Sequence, residues 1–208
     1  MLAYIWHIFQ AGGLVMYPLI GFLIFSWTIG IDRIRTYRQF DKEMAGFGEA
    51  LKGIRDSKEG MKILAENLAA TQDTNDFNKL VYPVIVRSKT HAVLENRLEE
   101  VISYIDCVLK RGLHWLSMIV TMSTLLGLLG TVLGMIRSFN AIGGAVGAPT
   151  VITGGVGEAL IATATGLTVA IVALAFHSYC ANQVNKFVSH LEYQAGIIID
   201  TFNGSEEQ

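Results

Sequence analysis

Gly157-Glu158-Ala159-Leu160-Ile161-Ala162-Thr163-Ala164-Thr165-Gly166-Leu167 lies inside an apolar stretch, 152–179, in which Glu158 is the one formally charged side chain. The stretch exceeds the roughly 20 apolar residues that a helix needs to cross a bilayer. An acid or base at the middle of a span costs roughly 2.5–3.5 kcal/mol on insertion scales, so such residues usually face a bundle interior or a water-filled path. Glu158 therefore points to ion movement rather than to anchoring. Between positions 112 and 185 its only charged companion is Arg137.

Two more windows, 13–31 and 113–136, are long and apolar enough to span. With 51% hydrophobic and 16% charged residues over 208 positions, the chain is too apolar for an ordinary soluble domain. Its net charge of −2 conceals a segregation: residues 1–31 carry no Lys, Arg, Asp or Glu, while 32–111 carry 14 of the 16 bases and 13 of the 18 acids. No basic run suggests nucleic acid. The fold expected is an all-α membrane protein with three transmembrane helices, spans two and three continuing as long cytoplasmic helices.

The expected order is an interfacial helix at 1–12, span one at 13–31, a cytoplasmic helical domain at 32–112, span two at 113–136, an outer loop at 137–151, span three at 152–179 and a C-terminal helix at 180–208. Orientation follows from bases beside the spans. Arg33, Arg35, Arg38, Lys42, Lys110, Arg111 and Lys186 lie on one side, and Arg137 alone lies on the other, where it can snorkel. Trp6, with Tyr4 and Phe9, suits an interfacial anchor, and His7 there reads as a solvated residue. Pro18 is expected to kink span one. The start has no positive region ahead of its apolar stretch, so no cleavable signal peptide is expected.

Leu94, Leu98, Val101, Ile105 and Val108 recur at helical spacing below span two, and Val184, Phe187, Leu191, Ala195 and Ile198 do so below span three. Both stripes read as core, packed on each other, on residues 44–68 or on neighbouring subunits. Cys107 and Cys180 read as free thiols with no disulfide and no metal.

Span two, Ser123-Thr124-Leu125-Leu126-Gly127-Leu128-Leu129-Gly130-Thr131-Val132-Leu133-Gly134-Met135-Ile136, sets Gly127, Thr131 and Gly134 at i, i+4 and i+7, with Gly130 and Gly134 as a small-xxx-small pair. Such spacing lets helices approach closely and leaves Thr131 to bond across an interface or back to its own helix. In span three Glu158, Ala162, Thr165 and Val169 share a face, with Thr163 and Gly166 to the side. That polar stripe suits the wall of a narrow path, and a structural acid at the helix end is the other reading of Glu158. No Gly-Lys dipeptide, His-Glu-x-x-His or Gly-x-Ser-x-Gly occurs, so neither nucleotide chemistry nor hydrolysis is indicated. The chain reads as no enzyme and as needing no cofactor, and a transmembrane ion gradient is the remaining energy source.

The segments 125–136 and 158–167 resemble the second- and third-span signatures of the MotA/TolQ/ExbB proton channel family. The start, with Trp6, Phe9, Gly12-Gly13, Met16, Pro18 and Asp32-Arg33, is similar to its ExbB and TolQ branch. The resemblance implies a pentameric ring in the bacterial inner membrane around the single spans of an ExbD- or TolR-like dimer. It implies Thr131 and Thr163 as pore-facing hydroxyls beside Thr165, Glu158 as the acid of the proton path, and Gly127, Gly130, Gly134 and Gly166 as packing residues. Force would pass to a TonB- or TolA-like periplasm-spanning protein, with ExbB-like service of outer-membrane uptake first and TolQ-like envelope maintenance or another ion-driven motor second. A passive membrane scaffold is the reading from a different class. The family often has Pro after Ala-Ile in span three; here Val172 follows Ala170-Ile171, which implies a straighter helix, and Ser123-Thr124 stands where Ala-Pro is common.

Overall fold

A computed structural model of the protein describes residues 12–52, 60–71, 76–88, 90–143 and 149–206. Among these, six helices occur and no strand: α1 Met16–Lys52, α2 Gly60–Thr71, α3 Asp76–Arg87, α4 His91–Lys110, α5 Leu113–Gly143 and α6 Pro149–Glu206. Three stretches, Met16–Gly48, His91–Asn140 and Thr153–Phe202, are long and apolar enough to cross a bilayer, with best-window mean hydropathies of 1.2, 2.0 and 2.2. Only 17%, 28% and 33% of those windows is buried within the chain. The remaining apolar surface needs lipid or another subunit against it. The chain is a multi-pass α-helical membrane protein.

Each helix boundary has a local cause. Gly13 adopts φ +69°, a left-handed conformation that glycine accepts without strain, and its carbonyl accepts from the Met16 N–H at 3.2 Å. Helix α1 begins there, which corrects the expectation for Pro18. In the first helical turn an N–H has no intrahelical acceptor to lose, so Pro18 favours the helix start instead of kinking its interior. Pro149 likewise stands at the first position of α6. Helix α6 then runs unbroken for 58 residues, Val172 supplying the backbone donor that a proline would lack. Helix α5 continues beyond the expected end at 136 to Gly143, so much of the 137–151 segment is helical. Residues 137–142 contain neither Gly nor Pro, and nothing there stops the helix. The expected 1–12 interfacial helix, with Trp6 and His7, falls almost entirely outside the described residues.

The chain divides into two compact units. The first comprises Met1–Asp32 and Gly112–Cys180. Its core joins Val15 and Leu19 from the start of the chain, Ile119 from α5, and Val169 and Ala173 from α6. Phe22, Leu23, Val120, Leu126 and Leu133 pack around that cluster. Trp27 meets Phe176 edge-on with ring centroids 5.2 Å apart, the geometry favoured by aromatic quadrupoles.

The second unit comprises Arg33–Arg111 and Ala181–Gln208. The lower α6 stripe, Val184, Phe187, Leu191, Ala195 and Ile198, is buried at every position. Phe47 of α1, Val81 of α3, Leu98 of α4, and Leu191 and Ile198 of α6 line one crevice, so four helices share this core. Met44, Phe47, Leu51, Leu64 and Leu68 are also buried. In α4 the buried positions are Leu94, Leu98, Ile105 and Leu109. Val108 is instead 46% exposed, a correction with a geometric reason: a 3.6-residue period carries the stripe from Ile105 to Leu109, one position further. The Tyr37 hydroxyl donates to the Leu109 carbonyl at 3.0 Å, satisfying an orphan acceptor in the last turn of α4. Cys107 is exposed and Cys180 buried, and neither is joined in a disulfide.

Candidate functional site

Small residues bring α5 and α6 together in the first unit. A Cβ on Gly127 would lie 3.3 Å from the Thr163 Cα and 3.4 Å from the Gly166 Cα. On Gly130 it would meet the Ala162 Cβ at 2.4 Å, and on Gly134 the Gly155 carbonyl at 2.8 Å and the Ala159 Cβ at 2.9 Å. On Gly166 it would stand 2.6 Å from the Ser123 carbonyl oxygen. These are mostly backbone neighbours that cannot swing aside, so side chains larger than hydrogen would hold the helices apart. Ala162, fully buried, and Val169, 2% exposed, face this packing. Along the face that Glu158, Ala162, Thr165 and Val169 share, these two buried apolar residues alternate with Glu158 and Thr165, which are partly exposed.

The hydroxyls divide by partner. Thr163 Oγ1 donates across the seam to the Gly127 carbonyl at 3.0 Å. Thr131 donates to Leu128 in its own helix at 2.6 Å and Thr165 to Ile161 at 2.9 Å. Of the two residences open to Thr131 from its sequence, the bond to its own helix is the one present, with the i−3 carbonyl as acceptor. Thr163, not Thr131, is the threonine that ties the two spans. In lipid a hydroxyl needs such a partner, and bonding backward to a carbonyl is the local solution. Ser123 is fully buried, and its Oγ has no hydrogen-bond partner among the described residues.

The charged centre lies toward the α5–α6 connection. Arg137 Nη1 of α5 donates to Glu158 Oε1 of α6, 21 positions away along the chain. The Arg137 side chain is 54% exposed and that of Glu158 only 21%. Arg137 is thus held by a specific partner, where snorkelling alone had been expected of it. Gly13 closes the other flank. A Cβ there would fall 1.9 Å from Glu158 Oε1 and 3.3 Å from Arg137 Nη1. Position, charge and close approach converge on one carboxylate.

Sequence reading singled out Glu158 and Arg137 separately and did not pair them. The available signal was that these two opposite charges are alone in the interval 112–185. In the sequence Gly13 marks the start of a span and belongs to the segment similar to the ExbB and TolQ branch; its contact with Glu158 depends on three segments meeting. Arg33 sits partly buried on α1, in the other unit. Among the described residues no group of three or more His, Cys, Asp or Glu side chains could hold a metal ion.

Three apolar helices, a glycine seam between two of them and a solitary acid paired with a base define a polytopic α-helical membrane protein. The sequence pattern of the MotA/TolQ/ExbB proton channel family matches residues 49–193, and the chain belongs to that family. It is 31% identical over 195 residues to an ExbB-like biopolymer transport protein of Synechocystis, covering 91% of this chain and 90% of the relative. The Tol-Pal system protein TolQ of Haemophilus influenzae is 29% identical over 204 residues, 91% of this chain and 86% of TolQ. The biopolymer transport protein ExbB of Salmonella typhimurium is 37% identical over 98 residues, 46% of this chain and 39% of that protein. The family is one of channels, not of enzymes.

Proposed function

We propose that this chain is the proton-channel subunit of an inner-membrane motor that uses the proton motive force to drive a TonB-type protein acting on outer-membrane transport. In this reading it works as a pentameric ring around an ExbD-like single-span dimer. Its N-terminus lies in the periplasm and its C-terminus in the cytoplasm, as the bases flanking the spans favour. The observation that carries the proposal is Glu158, the only acid in an apolar stretch of α6, paired with Arg137 and inside the residues that match the family.

Chemically, a carboxylate can accept and release a proton, while Thr131 and Thr163 can donate or accept without adding fixed charge. The membrane potential supplies about 2.3 kcal/mol per charge per 100 mV, so several protons must couple to one sizeable mechanical step. The length of the TolQ match favours a second reading, a TolQ-like subunit that serves envelope maintenance with a TolR-like partner and a TolA-like target.

Co-reconstitution of the chain with its single-span partner in proteoliposomes tests the proposal. Proton uptake driven by an imposed potential should be lost in Glu158→Ala and strongly reduced in Thr163→Val, in complexes shown to assemble. Unchanged uptake in assembled Glu158→Ala complexes would instead make the chain a passive scaffold whose glycine seam serves packing alone. Pull-down of an ExbD-like or a TolR-like partner from the native membrane separates the two motor readings.

A further inference from the structure

We infer that Arg137 is a selectivity-determining residue: its guanidinium occupies the cation position at the Glu158 carboxylate, so that this acid exchanges protons and rejects sodium. The inference rests on the reading of Glu158 as the acid of an ion path, and it assigns Arg137 a role beyond anchoring.

Three observations support it. The pair is made through one carboxylate oxygen, Oε1, and one guanidinium nitrogen, Nη1. That geometry leaves Oε2 with lone pairs for a proton, which needs only one of them. A metal cation needs several oxygen ligands and cannot share its position with a fixed positive charge. Next, Gly13 lies so close to Oε1 that even a Cβ would collide with it. The two flanks of Oε1 are thus filled by Arg137 and by backbone. Finally, Glu158 is the only acid between positions 112 and 185, so neither span offers a second carboxylate to complete a coordination shell. No other formally charged side chain occurs between positions 112 and 185 to balance Glu158 if Arg137 is removed. Arg137 is half-exposed and its side chain is long and flexible, so it can release the carboxylate for proton exchange and return.

The experiment uses the full chain in membranes and reads carbodiimide modification of Glu158 by mass spectrometry, a reaction that requires the protonated carboxyl, with and without sodium chloride against a choline chloride control. In the wild type, sodium should leave the labelling rate unchanged. In Arg137→Gln, sodium should slow labelling by at least about tenfold, because the vacated cation position is then available to it. Arg137→Lys keeps a fixed positive charge and should stay insensitive. Protection of the wild-type Glu158 by sodium overturns the inference even if Arg137→Gln fails to fold. So does an Arg137→Gln protein that folds, labels at Glu158 and shows no sodium effect. Potential-driven uptake of labelled sodium by Arg137→Gln but not by wild-type proteoliposomes supports it at the level of transport. Wild-type proton uptake that survives Glu158→Gln removes the functional reading instead, and leaves the sodium dependence of labelling to judge Arg137 by itself.

Discussion

The Thr163 hydroxyl donates to the Gly127 carbonyl across the α5–α6 seam at 3.0 Å, at a point where a Cβ on Gly127 would already press on the Thr163 Cα at 3.3 Å. The bond and the close approach coincide. Thr163→Val removes the donor while keeping the shape, so its structural cost should be that of one interhelical hydrogen bond in a membrane protein, about 0.6–1.7 kcal/mol. Thr163→Ser should recover most of it. Unfolding of the purified protein in mixed micelles measures both. A proton-flux defect in Thr163→Val that Thr163→Ser repairs, with stability matched, separates a conducting hydroxyl from a structural one.

Glycines in this chain do not share one role, and alanine substitution should sort them. A Cβ on Gly166 would stand 2.6 Å from the Ser123 carbonyl and 2.9 Å from the Gly127 Cα, both backbone atoms of α5. Gly166→Ala must therefore push the helices apart, at an expected loss of about 1–3 kcal/mol. Gly46 on α1 has nothing within 4 Å of the same added atom. Gly46→Ala should gain up to about 1 kcal/mol from helix propensity. The same micelle titration reads both, and a Gly166→Ala protein as stable as wild type would show that the seam is looser than described.

Much of this architecture was legible because membrane helices obey simple arithmetic. Length and apolarity located the spans, and the period of Val184, Phe187, Leu191, Ala195 and Ile198 named a buried stripe residue by residue. The stripe of α4 drifted because two choices, Val108 and Leu109, sit on either side of the helical period, and only packing decides between them. Helix ends were less legible: nothing in 137–142 states where the bilayer stops, and α5 continues to Gly143. Pro18 was misread because a proline kinks an interior but starts a helix, and the start at Met16 depends on the φ of Gly13. The Arg137–Glu158 pair lay beyond any local pattern, since it needs α5 and α6 to return alongside each other.

In the second unit, Tyr37 offers a test with little ambiguity. Its ring is 2% exposed, lies 6.0 Å from that of Phe187, and its hydroxyl donates to the Leu109 carbonyl. Tyr37→Phe keeps the packing and leaves that carbonyl without its donor, for an expected loss of about 0.5–1.5 kcal/mol. Tyr37→Ala also removes the buried ring, and the expected loss rises to about 3–5 kcal/mol. Denaturant unfolding followed by Trp fluorescence measures the difference, which isolates the ring from its hydroxyl.

Ser123 gives the opposite sign. Its Oγ is buried without a partner among the described residues, so the folded state carries the desolvation cost of a hydroxyl and gains no bond from it. Ser123→Ala removes the hydroxyl and keeps the Cβ, and should be neutral or stabilising by about 1 kcal/mol. Ser123→Thr adds a methyl group at a fully buried position whose carbonyl already lies against Gly166, and should lose about 1–3 kcal/mol by overpacking. Both variants leave the Arg137–Glu158 pair untouched, so proton flux per assembled complex should stay at the wild-type level for Ser123→Ala. A Ser123→Ala protein that unfolds more readily than wild type would mean that the hydroxyl has a partner in the assembled membrane complex, and proton flux measured on the same sample would tell whether that partner belongs to the conducting path.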